Sequence, residues 1–255
     1  MLNKLIRIVE DAGEMIRCAH HISEDITEKT SPIDVVTKYD TAVQEHLYRK
    51  LLDLLPEAGF LGEEGAHQEI TTEWTFVVDP IDGTANFVRN FAHSNISVAL
   101  AKNGVTEYGV VYNPFRGELY AAQRGKGATL NGRPIRVSDS DAAHAILLCG
   151  STAYDRELTD KHFAMMRRLY DCTGDYRRLG AAALDLCYIA AGRAEVFFEC
   201  RLRPWDIAAG SLILTEAGGQ ITQLDGTPID VLHNCSVFAS NGVCHALMDN
   251  IQEFL

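Results

Sequence analysis

The sequence predicts one layered domain of helices and sheets, antiparallel-rich in its first half and α/β in its second. Three observations carry that reading. Two amphipathic helical stretches open the chain, strand-like runs crowd between Asn95 and Val137, and from about Ala145 strand and helix patterns alternate. At 255 residues the chain has room for one large domain or two small ones sharing a core. There is no internal repeat, low-complexity tract or Pro/Gly/Ser-rich linker. A single domain over 1–255 is expected, with subregions of about 1–140 and 141–255.

In order, Leu2, Leu5, Ile6, Val9, Ala12, Ile16, Ala19 and Ile22 recur at three- and four-residue steps, which predicts a long first helix. A break is expected at Lys29-Thr30-Ser31-Pro32. A second helix over 40–55 places Val43, Leu47, Leu51 and Leu54 on one face and ends at Pro56 and Gly59. Residues 74–79 form a short, apolar, β-rich run of the kind that makes a buried strand. Strands are expected over 95–101, 107–112 and 118–122, then over 127–137 as a hairpin turning at Asn131-Gly132. Beyond it come a strand over 145–149, helices over 157–169 and 181–191, and a strand over 195–199. A helix over 206–217, strands over 219–224 and 236–240, and a helix over 245–254 complete the chain.

The composition narrows function. Hydrophobic residues make up 47% and charged residues 23%, an ordinary globular balance that argues against disorder. Lys and Arg total 23 against 35 Asp and Glu, for a net charge of -12. So acidic a surface would repel a phosphate backbone, so no nucleic-acid partner is expected. An anionic ligand would need a local reversal of sign. The seven cysteines (Cys18, Cys149, Cys172, Cys187, Cys200, Cys235, Cys244) are odd in number and scattered, with no C-x-x-C pair. They read as reduced, mostly buried thiols of a cytosolic protein. Lys4, Arg7, Glu10 and Asp11 interrupt what would be a signal-peptide core. No apolar run approaches the roughly 20 residues of a membrane span. A cytoplasmic location without membrane partners is the expectation, and the sequons at Asn95 and Asn234 carry no weight.

The chemistry concentrates in Asp79-Pro80-Ile81-Asp82-Gly83-Thr84-Ala85-Asn86-Phe87. Two carboxylates three residues apart end the buried-strand candidate. Close carboxylates in a partly buried place need a cation or a shared proton. Hard oxygen donors beside a backbone carbonyl suit Mg2+ better than zinc. Gly83-Thr84 offers backbone N–H groups to an anion, as at a helix N-terminus. The same residues also read as a strand followed by an Asp-Pro and Asp-Gly turn. Gly62-Glu63-Glu64 is either part of a site or a solvated loop between Gly59 and Gly65. Asp206, in Pro204-Trp205-Asp206, is either a ligand or the dipole complement of a helix. Asp34 to Asp40 reads as a helix entry with Asp40 as its cap.

Gly62-Glu63-Glu64, Asp79-Pro80-Ile81-Asp82-Gly83-Thr84 and Trp205-Asp206, in this order and spacing, resemble the inositol monophosphatase family. Asp34 to Asp40 and Glu216-Ala217-Gly218-Gly219 match it as well, so the resemblance runs from about Lys29 to Ala239. Each motif alone is weak, whereas five in register are specific. The resemblance implies alternating α-β-α-β-α layers, a homodimer, and Mg2+-dependent hydrolysis of phosphate monoesters with lithium inhibition. It further implies that Glu63, Asp79 and the carbonyl of Ile81 hold one metal. Asp79, Asp82 and Asp206 would hold a second, and Glu63 would touch a third. Asp40 would line this metal site in a catalytic role, and Thr84 with Glu63 would orient the attacking water. Gly83 and Thr84 would meet the phosphate, and Asp82, Asp206, Gly180, Ala182 and Glu199 would contact the substrate. Lys29 matches a family lysine near the metals, or is a solvated charge.

The mechanism so implied is direct attack of a metal-activated water with inversion and no covalent phosphoenzyme. Ala181 stands where a threonine is common, removing one hydroxyl from the alcohol pocket. Leu202-Arg203-Pro204-Trp205-Asp206 looks more like bacterial members. Arg177, Arg178, Arg201 and Arg203 either meet a second phosphate or acidic group, or serve in surface and subunit pairing. His20 and His21 read as packing or surface residues. The first candidate substrate is myo-inositol 1-phosphate, and the main rival is fructose 1,6-bisphosphate. Histidinol phosphate and phosphoadenosine phosphate are further options. The reading from another class is a non-catalytic metal-binding scaffold or regulator.

Overall fold

The apolar stripe at the start of the chain forms α1 (Leu2–Arg17), which buries Leu5, Val9, Ala12 and Ile16. The computed structural model describes residues 1–19, 26–31, 34–65, 70, 73–151, 153 and 155–255. The helix ends at Arg17 rather than at the expected Ile22, and His20, His21 and Ile22 lie outside the described residues. The expected break at 29–32 is instead largely strand. β1 (Ile26–Ser31) pairs antiparallel with β2 (Asp34–Thr37), while Pro32 and the side chain of Lys29 are outside the description.

β2 runs straight into α2 (Lys38–Leu54), and here the expected cap is corrected. Thr37, in extended backbone at φ -113°, is the cap, and its Oγ1 accepts from Tyr39 N at 3.1 Å. Asp40 is the reciprocal partner three residues on. Its Oδ2 accepts from Thr37 N at 2.8 Å and Thr37 Oγ1 at 2.7 Å. The β-branched run Val35-Val36-Thr37 favours the extended backbone, which moves the helix start ahead of Asp40.

β3 (Gly59–Gly62), β4 (Trp74–Asp82), β5 (Asn95–Lys102), β6 (Val105–Asn113), β7 (Glu118–Gln123), β8 (Ala128–Leu130) and β9 (Arg133–Ile135) form a seven-stranded sheet in chain order. A short helix, α3 (Thr84–Val88), lies between β4 and β5. Only the β3–β4 pair is parallel. The expected hairpin closes at Asn131 (φ 51°) and Gly132 (φ 74°), the left-handed pair that a two-residue turn requires.

In the second half come β10 (Ile146–Cys149), α4 (Thr159–Tyr170), β11 (Asp175–Arg177), α5 (Ala182–Ala190), β12 (Val196–Leu202), α6 (Pro204–Glu216), β13 (Gln220–Thr222) and β14 (Cys235–Ser240). Their strands form a mixed sheet in the order β11-β10-β12-β14-β13. The helix expected over 245–254 is a 3-10 helix, His245–Phe254.

Three apolar clusters hold five layers together. Leu5 and Val9 of α1 and Leu47 and Leu51 of α2 pack on Phe76, Val78 and Val98 of the large sheet. Val77, Ala99 and Val111 point to its other face and meet Leu186 of α5 and Ile213 of α6, which also cover Phe197 and Val237 of the second sheet. Met165 and Leu169 of α4, with Ile251, close the outer face over Leu147, Phe198 and Phe238. The alternation of Phe76, Val77 and Val78 between faces is the period of two expected of a strand buried on both sides. The α-β-α-β-α layering expected from the sequence is therefore present. Among the described residues no helix is long and apolar enough to cross a membrane. All seven cysteines are free, and Cys149, Cys187, Cys235 and Cys244 are buried.

α6 is apolar all round because it lies between the sheets, and it approaches β6 at Gly109. A Cβ on Gly109 would stand 2.8 Å from the carbonyl oxygen of Ala209, and that backbone cannot swing aside. Gly109→Ala should therefore destabilise the fold by roughly 1–3 kcal/mol in urea denaturation; an unchanged midpoint would show that the helix can shift.

Candidate active site

The buried strand β4 delivers Asp79, Ile81 and Asp82 to one end of the layers. The ladder with β5 slips between Asp79, opposite Ser97, and Asp82, opposite Asn95. This bulge breaks strict alternation and bends the strand end. Ile81 N donates to Asp79 Oδ1 at 3.0 Å, while Asp82 Oδ2 accepts from Asn95 Nδ2 at 2.8 Å and Ala183 N at 3.0 Å. Asp82 thus ties β4 to the start of α5. Gly83 follows at φ +84°, and a Cβ there would meet the carbonyl oxygens of His93 at 3.0 Å and Gly180 at 3.1 Å. Glycine is required at that corner on both counts.

Thr84 opens α3, with its hydroxyl 3.0 Å from Ile81 O and 3.2 Å from Asp40 Oδ1. Asp40 is fully buried and absent from the cavity wall. Its bonds to Thr37 hold it beside the Thr84 hydroxyl, and its charge acts on Asp79. Glu63 comes directly after β3, and its N–H donates to Val78 O at 3.2 Å. Gln44 of α2 pins the next residue, accepting from Glu64 N at 2.9 Å and donating to Glu64 O. The expected loop between Gly59 and Gly65 is thus a strand plus an anchored turn.

α6 begins with Pro204 in its first turn, and Asp206 Oδ2 accepts from Arg203 N at 2.7 Å. Glu199 of β12 is buried, its Oε1 accepting from Ser151 N at 2.9 Å. A Cβ on Gly150, just past β10, would fall on the Glu199 carboxylate, so a side chain there would displace that group. These elements enclose a cavity of about 510 Å3. Its wall includes Glu63, Asp79, Ile81, Asp82, Gly83, Thr84, Gly180, Ala182, Glu199 and Asp206, every expected site residue except Asp40.

Electrostatics at this cavity are adverse to bare carboxylates. Burial, then the charges of Glu63, Asp82, Asp206 and Asp40, push Asp79 well above the usual carboxylate range. Burial raises Asp82 to about 6, against the lowering hydrogen bonds from Asn95 and Ala183. Asp206 rises through loss of water and the nearby Asp82, and burial lifts Glu199 to about 8. Asp40 is raised by burial as well. Among the described residues no three of these groups sit close enough to grip one ion together. They face a shared space rather than closing on one point.

The arginines divide. Arg177 pairs with Asp175 on the surface at 2.6 Å, and Arg201 pairs with Asp155 and Glu157. Arg178, Arg201 and Arg203 reach the cavity wall, and Arg178 Nη2 donates to Ser151 Oγ at 3.1 Å. Sequence reasoning missed Gln44, Asn95, Ser151 and Asp185. Gln44 and Asp185 carried a signal, as polar residues interrupting apolar helix faces; Asn95 and Ser151 carried none.

Residues 1–254 match the inositol monophosphatase family. The chain is 38% identical over 258 aligned positions to the Nus factor SuhB of Pasteurella multocida, covering 100% of this chain and 97% of that protein. Two solved structures share the fold closely. The extragenic suppressor protein suhB of Bartonella henselae has a TM-score of 0.91 at 31% identity, covering 99% of this chain and 98% of its own. An inositol monophosphatase from Anabaena (Nostoc) has a TM-score of 0.87 at 32% identity, covering 99% and 95% respectively.

A raised carboxyl pKa gives the folded state more bound protons than the unfolded chain between the two values. Stability then falls as pH rises through that window, from about 4 to about 6 for Asp82 and on to about 8 for Glu199. Metal-free protein should melt several degrees lower at pH 8 than at pH 5, and Mg2+ at pH 8 should restore the loss. Calorimetric scans across pH check this; a flat profile would mean that the carboxylates are not strained.

Proposed function

Since the chain belongs to the inositol monophosphatase family, we propose that it hydrolyses small phosphate monoesters with Mg2+, myo-inositol 1-phosphate being the first substrate. One observation carries this reading: Glu63, Asp79, Asp82 and Asp206 share a cavity wall with the Thr84 hydroxyl. The donor set fits the metal. It is all oxygen and mostly anionic, and carboxylates pushed upward by burial and by one another are relieved by a hard dication. Glu63, Asp79 and Ile81 O would hold one ion, and Asp79, Asp82 and Asp206 a second, with Glu63 available to a third. Bound Mg2+ would lower the pKa of a coordinated water and offset the charge of the phosphate.

The chain's own residues do the rest. Thr84, held between Asp40 and Ile81 O, orients the attacking water together with Glu63. Asp40 is a positioning residue in this scheme, since its contact with the site runs through Thr84. Backbone N–H groups of Gly83 and Thr84 meet the phosphate at the first turn of α3. Gly180, Ala182 and Glu199 face the departing alcohol. The roles so assigned are metal ligands and a water-orienting hydroxyl, so in-line displacement with inversion is expected. The same reading carries a cytoplasmic homodimer and lithium inhibition.

A second reading rests on the identity to a protein named Nus factor SuhB. On it, this chain docks on the transcription machinery as a non-catalytic partner. The net charge of -12 favours a basic protein surface over RNA or DNA as the contact.

Phosphate release from myo-inositol 1-phosphate, fructose 1,6-bisphosphate, histidinol phosphate and phosphoadenosine phosphate, with and without Mg2+ and lithium, tests the first reading. Asp82→Asn should lower turnover by roughly a hundredfold or more; near-normal activity in that variant would remove the site. Arg203→Ala should weaken the bisphosphate more than the inositol ester, and equal effects would return Arg203 to the surface. For the second reading, calorimetry showing tight binding of transcription proteins without phosphate release in Mg2+ is the supporting result. Binding that survives Asp82→Asn while turnover is lost would assign the two activities to separate surfaces.

A further inference from the structure

Residues 181–191 are apolar except for Asp185. That acid sits in α5, a helix buried from Ala183 to Ala190, and is 1% exposed. Among the described residues its Oδ1 has no hydrogen-bond partner. The residue nevertheless lines the active-site cavity, within the fields of Asp82, Glu199 and Arg178.

Buried acids with a structural task look different in this protein. Glu195 is 5% exposed, and its two oxygens accept from Ser138 Oγ at 2.8 Å and Ile146 N at 2.7 Å. Asp40 is satisfied by Thr37 and Thr84. An unsatisfied buried carboxyl costs stability that leucine or alanine at the same helical position would not. The cost is offset only when something entering the cavity brings donors.

We propose that Asp185 is a specificity-determining residue of the leaving-group pocket, taking hydroxyl groups of a polyol ester alongside Glu199. This rests on the phosphomonoester reading above and adds a direction to it. Asp185 and Glu199 offer a phosphate neither positive charge nor backbone N–H groups, so that group goes to the Gly83–Thr84 end. The neutral, hydroxylated part of the ester then lies against the two acids and exchanges hydrogen bonds with their carboxyl groups.

The test compares Asp185→Ala with the unaltered protein on myo-inositol 1-phosphate and on phenyl phosphate, whose leaving group has no further hydroxyls. The KM for the inositol ester should rise about tenfold with kcat held within about twofold, and phenyl phosphate should change less than twofold. Calorimetric affinity for the inositol ester should fall by the same factor. Equal losses on both esters, with a lower melting temperature, would mark Asp185 as a structural acid and overturn the proposal; so would no change on either. Should the alanine variant fail to fold, the nearly isosteric Asp185→Asn carries the same comparison. If the unaltered protein hydrolyses neither ester, the hydrolytic reading fails by itself. Binding then still decides the residue: weaker inositol 1-phosphate binding in the variant sustains it, and equal binding overturns it.

Discussion

Mutual repulsion among carboxylates at one cavity is the constraint on which this structure turns. Asp79 and Asp82 are buried, Asp206 and Glu63 half-buried, and loss of water makes the charges of the three aspartates more costly to one another. An unclamped set would swing apart or out to solvent. Each of the four is instead anchored by backbone or by a neutral donor. Asn95 and Ala183 N–H hold Asp82, Arg203 N–H holds Asp206, Ile81 N–H holds Asp79, and Gln44 secures the turn at Glu63. Neutral donors fix position without neutralising charge, so the site keeps its appetite for a cation.

The layers exist in a form that makes such anchoring possible. β4 is buried on both faces, which fixes the height at which its last carboxylates emerge. α5 and α6 are wedged between two sheets, so their first turns cannot drift from the strand end. The close approach of α6 to β6 at Gly109 and the bare Gly150 beside Glu199 show the same economy of space. Asp206 reaches the cavity because Pro204 starts the helix two residues before it. Packing sets the geometry here, and the polar contacts refine it.

Much of this was legible in the sequence for a physical reason. The strand candidates were continuous apolar runs closed by turn residues, and Asn131-Gly132 demands a particular backbone, so these elements declare themselves locally. The β1–β2 hairpin did not, because its strands are polar and short and Pro32 reads as a break. β3 and β11 were equally silent: four and three residues give no period to detect. At the site, motif spacing singles out Glu63, Asp79, Asp82, Thr84 and Asp206, which the fold brings to one cavity wall. The same spacing names Asp40, but it says nothing of the bonds to Thr37 and Thr84 that hold its carboxylate. Asn95 and Ser151 act by partnership across 13 and 48 residues of chain, and no single segment announces such a pair.

The acids of the chain fall into two kinds by how far the protein satisfies them. Glu216 takes the N–H groups of Gly125 and Gly127 at 2.7 Å each, and Glu195 and Asp40 are similarly filled. Such groups gain their partners on folding and have nothing left to offer a ligand. The cavity acids retain open oxygens under strong mutual repulsion, a state that folding tolerates only because the surrounding layers supply the stability. That contrast also resolves the charge balance of the whole molecule. An excess of 12 negative charges would exclude an anionic substrate if it were spread evenly. On the proposed reading, the share of it that lines the cavity would attract cations able to receive the phosphate, while Asp185 and Glu199 would face the hydroxyls of the alcohol. By that reading the acidity of the whole chain is no bar to an anionic ester, because bound cations would reverse the sign locally.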